Sequence, residues 1–189
     1  MINDVLVVLK DKLNDYCRLT TSSPEDKVMF PDGANLDPDQ FPVNSVTPIL
    51  VNFEEEKNMR AANRFEGTVN KGIKTGGNPA IQLNLMVLFV VRFSDYEQTM
   101  KFLSLVIRFF QRNNVHDHHN TPNLSPGIDK LRMELITLPF NERNELWSSL
   151  KAPYQPSALY KVSLLVFEDD QSMEVSGSVR GIQTNFVSQ

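Results

Sequence analysis

The sequence has a single cysteine, Cys17, so neither an intrachain disulfide nor a cysteine-rich zinc site is open to it. It has no basic surplus. Its 19 Lys and Arg stand against 23 Asp and Glu, a net charge of −4, which offers phosphates no attractive field and excludes general nucleic-acid binding. Long apolar runs are absent too: the longest, Leu85 to Val91, falls far short of the roughly 20 residues a spanning helix needs, so no membrane insertion is expected. Met1 to Leu19 lacks the cationic opening, apolar run and small-residue cleavage site of a secretory signal, and folding in the cytoplasm is the expectation. No serine sits in a Gly-x-Ser-x-Gly elbow, and Gly76-Gly77 is followed by Asn78-Pro79 instead of the Lys and Ser/Thr of a phosphate loop.

What remains is the composition of an ordinary globular domain. Hydrophobic residues make up 41% and charged residues 22% of a 189-residue chain, enough for one core and cramped for two. The charge is uneven: residues 1–60 hold six Lys and Arg against eleven Asp and Glu, and the remainder is nearly neutral. An acidic third suits complementary contacts with a partner or another copy, or simply a solvated loop.

Ile2, Val5, Leu6, Leu9, Leu13 and Tyr16 recur at helical spacing, which predicts an opening helix of about four turns with one apolar stripe to lay across a sheet. Cys17 sits late in that helix and reads as a small core or boundary side chain. From Thr20 to Pro48 the pattern dissolves into a proline-rich loop. A strand follows at Ile49–Phe53, ended by Glu54-Glu55-Glu56, and Arg60–Gly77 reads as an exposed loop or weak hairpin. Ala80–Phe93 is the strongest strand signal, apolar on both faces in its second half and therefore interior to the sheet. Ser94-Asp95-Tyr96-Glu97 has capping-box spacing and predicts a helix to Arg112. The breadth of that helix's apolar surface demands sheet on one side and the first helix or another subunit on the other. Asn113–Asp129 reads as a second polar loop. A half-exposed strand over Leu131–Leu135, a short helix over Pro139–Leu150 and a strand over Ser157–Phe167 complete the domain. The fold class expected is α/β, a two-layer sandwich with a mixed sheet of about four strands covered by helices. Residues 1–168 form the domain and 169–189 a tail or arm.

Two groups of residues carry candidate chemistry. His116, His118 and His119, with Asp117 between, are ligand types for a divalent transition metal, and a small metal-dependent hydrolase is the alternative they suggest. Their adjacency argues against it, because fixed metal sites usually draw ligands from separate elements. No cofactor and no catalytic residue is expected. Glu54-Glu55-Glu56 point alternately to opposite sides of a strand end and read as solvated charge. The second group, Leu146-Trp147, Tyr154-Gln155-Pro156-Ser157 and Tyr160-Lys161, is either a clasp of the core or a site of contact.

The opening Met1-Ile2-Asn3-Asp4-Val5-Leu6, the Ile49–Glu56 strand, the block Pro79–Phe110 with Asp95-Tyr96-Glu97 and Lys101-Phe102-Leu103, and the segment Asn144-Glu145-Leu146-Trp147 through Tyr160-Lys161 together form a pattern. It resembles the N-terminal domain of the cap proteins of phage-tail-like contractile injection systems. The resemblance implies a fold similar to phage tail terminators and a hexameric ring at the baseplate-distal end. There the ring ends inner-tube polymerisation and holds the last ring of sheath. It implies as partners other copies of the chain and the tube and sheath proteins, and as location a contractile particle assembled in the cytoplasm, then released or held in the cell. A terminator of a true phage tail is the neighbouring reading, and longer members of the family carry a further C-terminal region. The positions matching the family pattern are Asp95, Tyr96, Phe102, Phe110, Trp147, Tyr154, Pro156, Ser157 and Tyr160.

Overall fold

A computed structural model describes residues 1–31, 41–56, 68–70, 73–75 and 81–166. The elements are α1 (Ile2–Thr21), β1 (Ser45–Glu55), β2 (Thr68–Asn70), β3 (Ile73–Thr75), β4 (Ile81–Arg92), α2 (Tyr96–Arg112), β5 (Val115–Asp117), β6 (Ile128–Ile136), α3 (Phe140–Ser149) and β7 (Ser157–Val166). Five strands form one sheet in the order β1-β4-β7-β6-β5, and β2 pairs with β3 apart from it.

The α/β class holds, with two corrections to the sheet. Every named pairing is antiparallel, so the sheet is not mixed; among the described residues the parallel contact is an isolated bridge between Val28 and Val46. It also has five strands instead of four, because β5 lies inside the segment that reads as polar loop. Three residues carry too short an alternation to be seen by periodicity, and β5 exists because His116 and its neighbours pair with Leu131 and the residues beside it on β6. Residues 60–77 hold a small antiparallel ladder between β2 and β3. The tail expected at 169–189 and the Gly76–Pro79 turn lie outside the described residues.

Alternation along β4 divides the interior in two. Leu85, Val87, Phe89 and Val91 face α1 and α2, where they meet Val5, Leu9, Leu13 and Cys17 from α1 and Phe102, Val106, Phe109 and Phe110 from α2. Leu88 and Val90 face the other way, onto Ile49, Phe41 and Trp147 of α3. β4 is thus buried on both faces, as its continuous apolar run implies. The breadth of α2 is explained within the chain: Phe110 packs on Phe89 at 5.0 Å between ring centroids, and Phe109 meets Tyr16 of α1 at 5.2 Å. Tyr96, the first residue of α2, is exposed.

The helix-starting signal shifts by one residue. Asp95, not Ser94, is the N-cap of α2, its carboxylate accepting from the Gln98 N–H at 3.0 Å. The Ser94 N–H instead donates to the Asn44 side chain at 3.1 Å, and Asn44 holds a left-handed φ of 64° in the turn before β1. Together they tie the start of β1 to the β4–α2 turn.

Buried Asn14 stands inside the apolar stripe of α1. Its side-chain N–H donates to the Val28 carbonyl at 2.9 Å, and its oxygen accepts from the Lys27 and Val28 amides at 3.0 and 2.7 Å. The neighbouring groups, Lys27 carbonyl and Met29 amide, pair with Val46 at 2.7 and 3.0 Å. One amide side chain thereby satisfies the face of segment 27–29 that β1 does not. Among the described residues no helix is long and apolar enough to cross a membrane.

Candidate functional site: a corner pocket beside α3

At one corner the sheet has a notch. β6 leaves after Ile136, which pairs with Leu159, whereas β7 begins two residues earlier and pairs there with β4 alone, Ala158 with Phe89 and Ser157 with Val90. Antiparallel strands of unequal reach leave a gap where the longer one lacks a partner. Here the gap is a cavity of about 190 Å³ lined by Leu88, Ile107, Leu135, Ala158, Leu159 and residues of α3.

α3 is set over the notch by its two ends. Pro139 precedes its first turn, where a missing N–H costs nothing. At the other end the Ala152 N–H reaches the Trp147 carbonyl at 3.2 Å and the Lys151 N–H the Ser148 carbonyl at 3.0 Å, with Lys151 at a left-handed φ of 54°. That is the Schellman pattern, with lysine where glycine is usual. The reversal brings Tyr154 back against Trp147, ring centroids 5.9 Å apart and nearly perpendicular. The Pro156 carbonyl then accepts from the Val91 amide at 2.9 Å and starts β7 in register.

Three of the exposed large apolar side chains crowd this corner: Leu135 at 47%, Phe140 at 69% and Tyr154 at 56% exposure. The Arg143 guanidinium lies 5.0 Å from the Phe140 ring centre and 5.5 Å from that of Tyr154. No carboxylate among the described residues forms an ion pair with Arg143. Trp147 is 4% exposed, lines the cavity, and its indole N–H has no hydrogen-bond partner among the described residues. Buried indole N–H groups ordinarily find one. Among the described residues the corner therefore holds apolar volume, a cation with no ion-pair partner and, buried beside them, an unsatisfied donor. Its lining, among the described residues, is mostly apolar, which suits it to receive an apolar group.

The family-pattern residues divide. Trp147 and Ser157 line the pocket, Tyr154 packs on Trp147, and Pro156 sets the start of the strand beside it. Phe102, Phe110 and Tyr160 are core, Asp95 caps α2, and Tyr96 stands exposed at the start of that helix. Spacing alone held a signal that went unread: Phe140, Arg143 and Trp147 recur at i, i+3 and i+7, one face of α3.

The histidine loop does not assemble a metal site. His116 is buried on β5, its Nδ1 3.4 Å from the Thr121 hydroxyl and its ring beside Phe109, while His118 and His119 are exposed. The Asp117 carboxylate accepts from the His119 and Asn120 amides at 3.0 and 3.1 Å, which holds it below the usual carboxylate range. No group of three His, Cys, Asp or Glu able to hold an ion occurs among the described residues. Burial lowers the His116 pKa, with the Lys12 charge adding to it against weaker help from Asn113 and Asp117. Burial also pushes the Cys17 thiol up to about 11 and the Tyr160 phenol to about 12, so neither supplies a nucleophile or base near neutrality.

No curated protein sequence matches the chain. Among solved structures it is similar to a sheath/tube terminator of an extracellular contractile injection system, in the extended state, with a TM-score of 0.57 and 20% identity over 100% of this chain and 65% of that one. It is similar also to the tube-terminating cap of the anti-feeding prophage, with a TM-score of 0.52 and 14% identity over 93% of this chain and 59% of that one. The chain thus spans roughly three fifths of the length of the terminators it matches. Residues 4–181 match the Pvc16 N-terminal domain, and the chain belongs to that family.

Proposed function

We propose that the chain is a non-catalytic cap of a contractile injection particle. Six copies form a ring at the baseplate-distal end, stop inner-tube polymerisation and anchor the last ring of sheath. The observation that carries this reading is the corner pocket. Exposed aromatics gather around a cavity with an unpaired Arg143 and an orphan Trp147 donor, the composition of a protein contact and not of a reacting centre. Family membership and the likeness to two terminators support it. Termination asks only that one face match the repeating subunits and the other offer no continuation, a matter of shape and charge. In this reading residues 1–168 are the ring-forming domain, and 169–189 form an arm that adds a strand to a neighbouring sheath subunit.

Electron microscopy of the purified chain tests it. The expected result is six-fold rings of about 130 kDa, built from six chains of 21.5 kDa each. A strict monomer that joins neither tubes nor sheaths would overturn the proposal.

A further inference from the structure

The sheet carries a complementary feature at the opposite corner. β1 is an edge strand, paired with β4 on one side and met on the other, among the described strand pairings, by the 27–29 segment at Val46 near its start. Its far end presents Phe53, 60% exposed, followed by Glu54, Glu55 and Glu56. Phe53 pairs with Leu85 and Leu85 with Val162, whereas the pocket lies by Ser157 and Leu159 beyond β7. Aromatic ring and pocket thus stand at diagonally opposite corners of one sheet. An edge strand with an exposed aromatic and a run of acids also carries outward backbone carbonyls. That is what an apolar hole with an unpaired guanidinium and an unpaired indole N–H lacks.

Building on the ring reading above, we propose that the end of β1 of one copy plugs the corner pocket of the next. Phe53 enters the cavity, a backbone carbonyl of the same strand accepts from the Trp147 indole N–H, and the Glu54 carboxylate faces Arg143. The sizes agree: a dry cavity of roughly 150 Å³ is known to hold benzene, and this one measures about 190 Å³. Because the two halves lie on opposite corners, the contact is heterologous. Copies repeat head to tail and close as a ring, which a self-complementary patch would not produce.

The test uses two variants of the full chain. Phe53→Ser removes the plug and leaves the pocket; Arg143→Glu spoils the pocket and leaves the plug. Each alone is expected to sediment as a monomer at concentrations where the natural chain forms rings, with its dissociation constant raised at least tenfold. Mixed in equal amounts they are expected to give a heterodimer and nothing larger, because one competent interface survives per pair. Combining Arg143→Glu with Glu54→Lys in one chain is expected to recover ring assembly. Both positions are surface-exposed or half-exposed, and an unchanged melting temperature separates lost contact from lost fold; should Arg143→Glu melt early, Arg143→Ala takes its place. Variants that still form rings would overturn this contact and leave the ring reading standing. A natural chain that stays monomeric at every concentration would overturn both.

Discussion

Replacing Asn14 with leucine tests how the segment before β1 is held. Leucine is close in volume and suits the apolar stripe of α1, so helix propensity and packing change little. What is lost is three hydrogen bonds, to the Val28 carbonyl and to the Lys27 and Val28 amides. Val28 is 1% exposed, so its amide and carbonyl are left without water, while Lys27 is half-buried and recovers some solvation. Each stranded buried group costs about 1–3 kcal/mol, and two of them, less about 1 kcal/mol for leucine's better burial, leave a loss of about 3 kcal/mol. In a chain of this length that lowers Tm by about 6–12 °C. Urea unfolding followed by circular dichroism would show the midpoint falling with an unchanged slope. A loss below about 0.5 kcal/mol would refute the reasoning, since it would mean that water or a shifted backbone satisfies segment 27–29 as well as Asn14 does.

Two further outcomes follow from the core. His116 has a folded-state pKa below the ordinary 6.5, so the unfolded chain binds its proton first; stability is intact above about pH 6.5 and declines as pH falls through that value, by up to about 1.4 kcal/mol per unit. Urea midpoints at pH 7.5 and 5.5 would show the decline, and His116→Gln would reduce it; an equal decline in the variant would exonerate the imidazole. Phe89→Ala removes a fully buried ring that touches Phe110 and Tyr160 and is expected to cost about 3–5 kcal/mol, read by the same unfolding assay.

Much of the fold was legible because burial writes itself into spacing. The stripe of α1, the two-sided apolar run of β4 and the breadth of α2 each predicted a neighbour, and each neighbour is there. Cys17 also lies in the core, as its place after Leu13 implied. Adjacency of the histidines in sequence is not adjacency in space: alternation along β5 buries His116 while the turn after it carries His118 and His119 outward. The corner pocket was half legible. Trp147 and Tyr154 stood out as residue types, but Arg143, Phe140 and Leu135 are ordinary letters until the chain reversal after α3 and the early departure of β6 bring them together.

By itself the sequence carried an α/β domain, no intrachain disulfide, no basic surplus, and a pattern that resembles injection-system caps. Those properties are sums over composition or local periods, which the chain carries without folding. The tertiary structure alone decided that the sheet is antiparallel and that Asn14 pins a distant segment. It also decided that an orphan indole and an unpaired guanidinium share a notch at one corner while an exposed phenylalanine and its acids stand at the other. Pairing partners and unmet hydrogen bonds depend on which residues far apart in the chain become neighbours, and no local pattern encodes that.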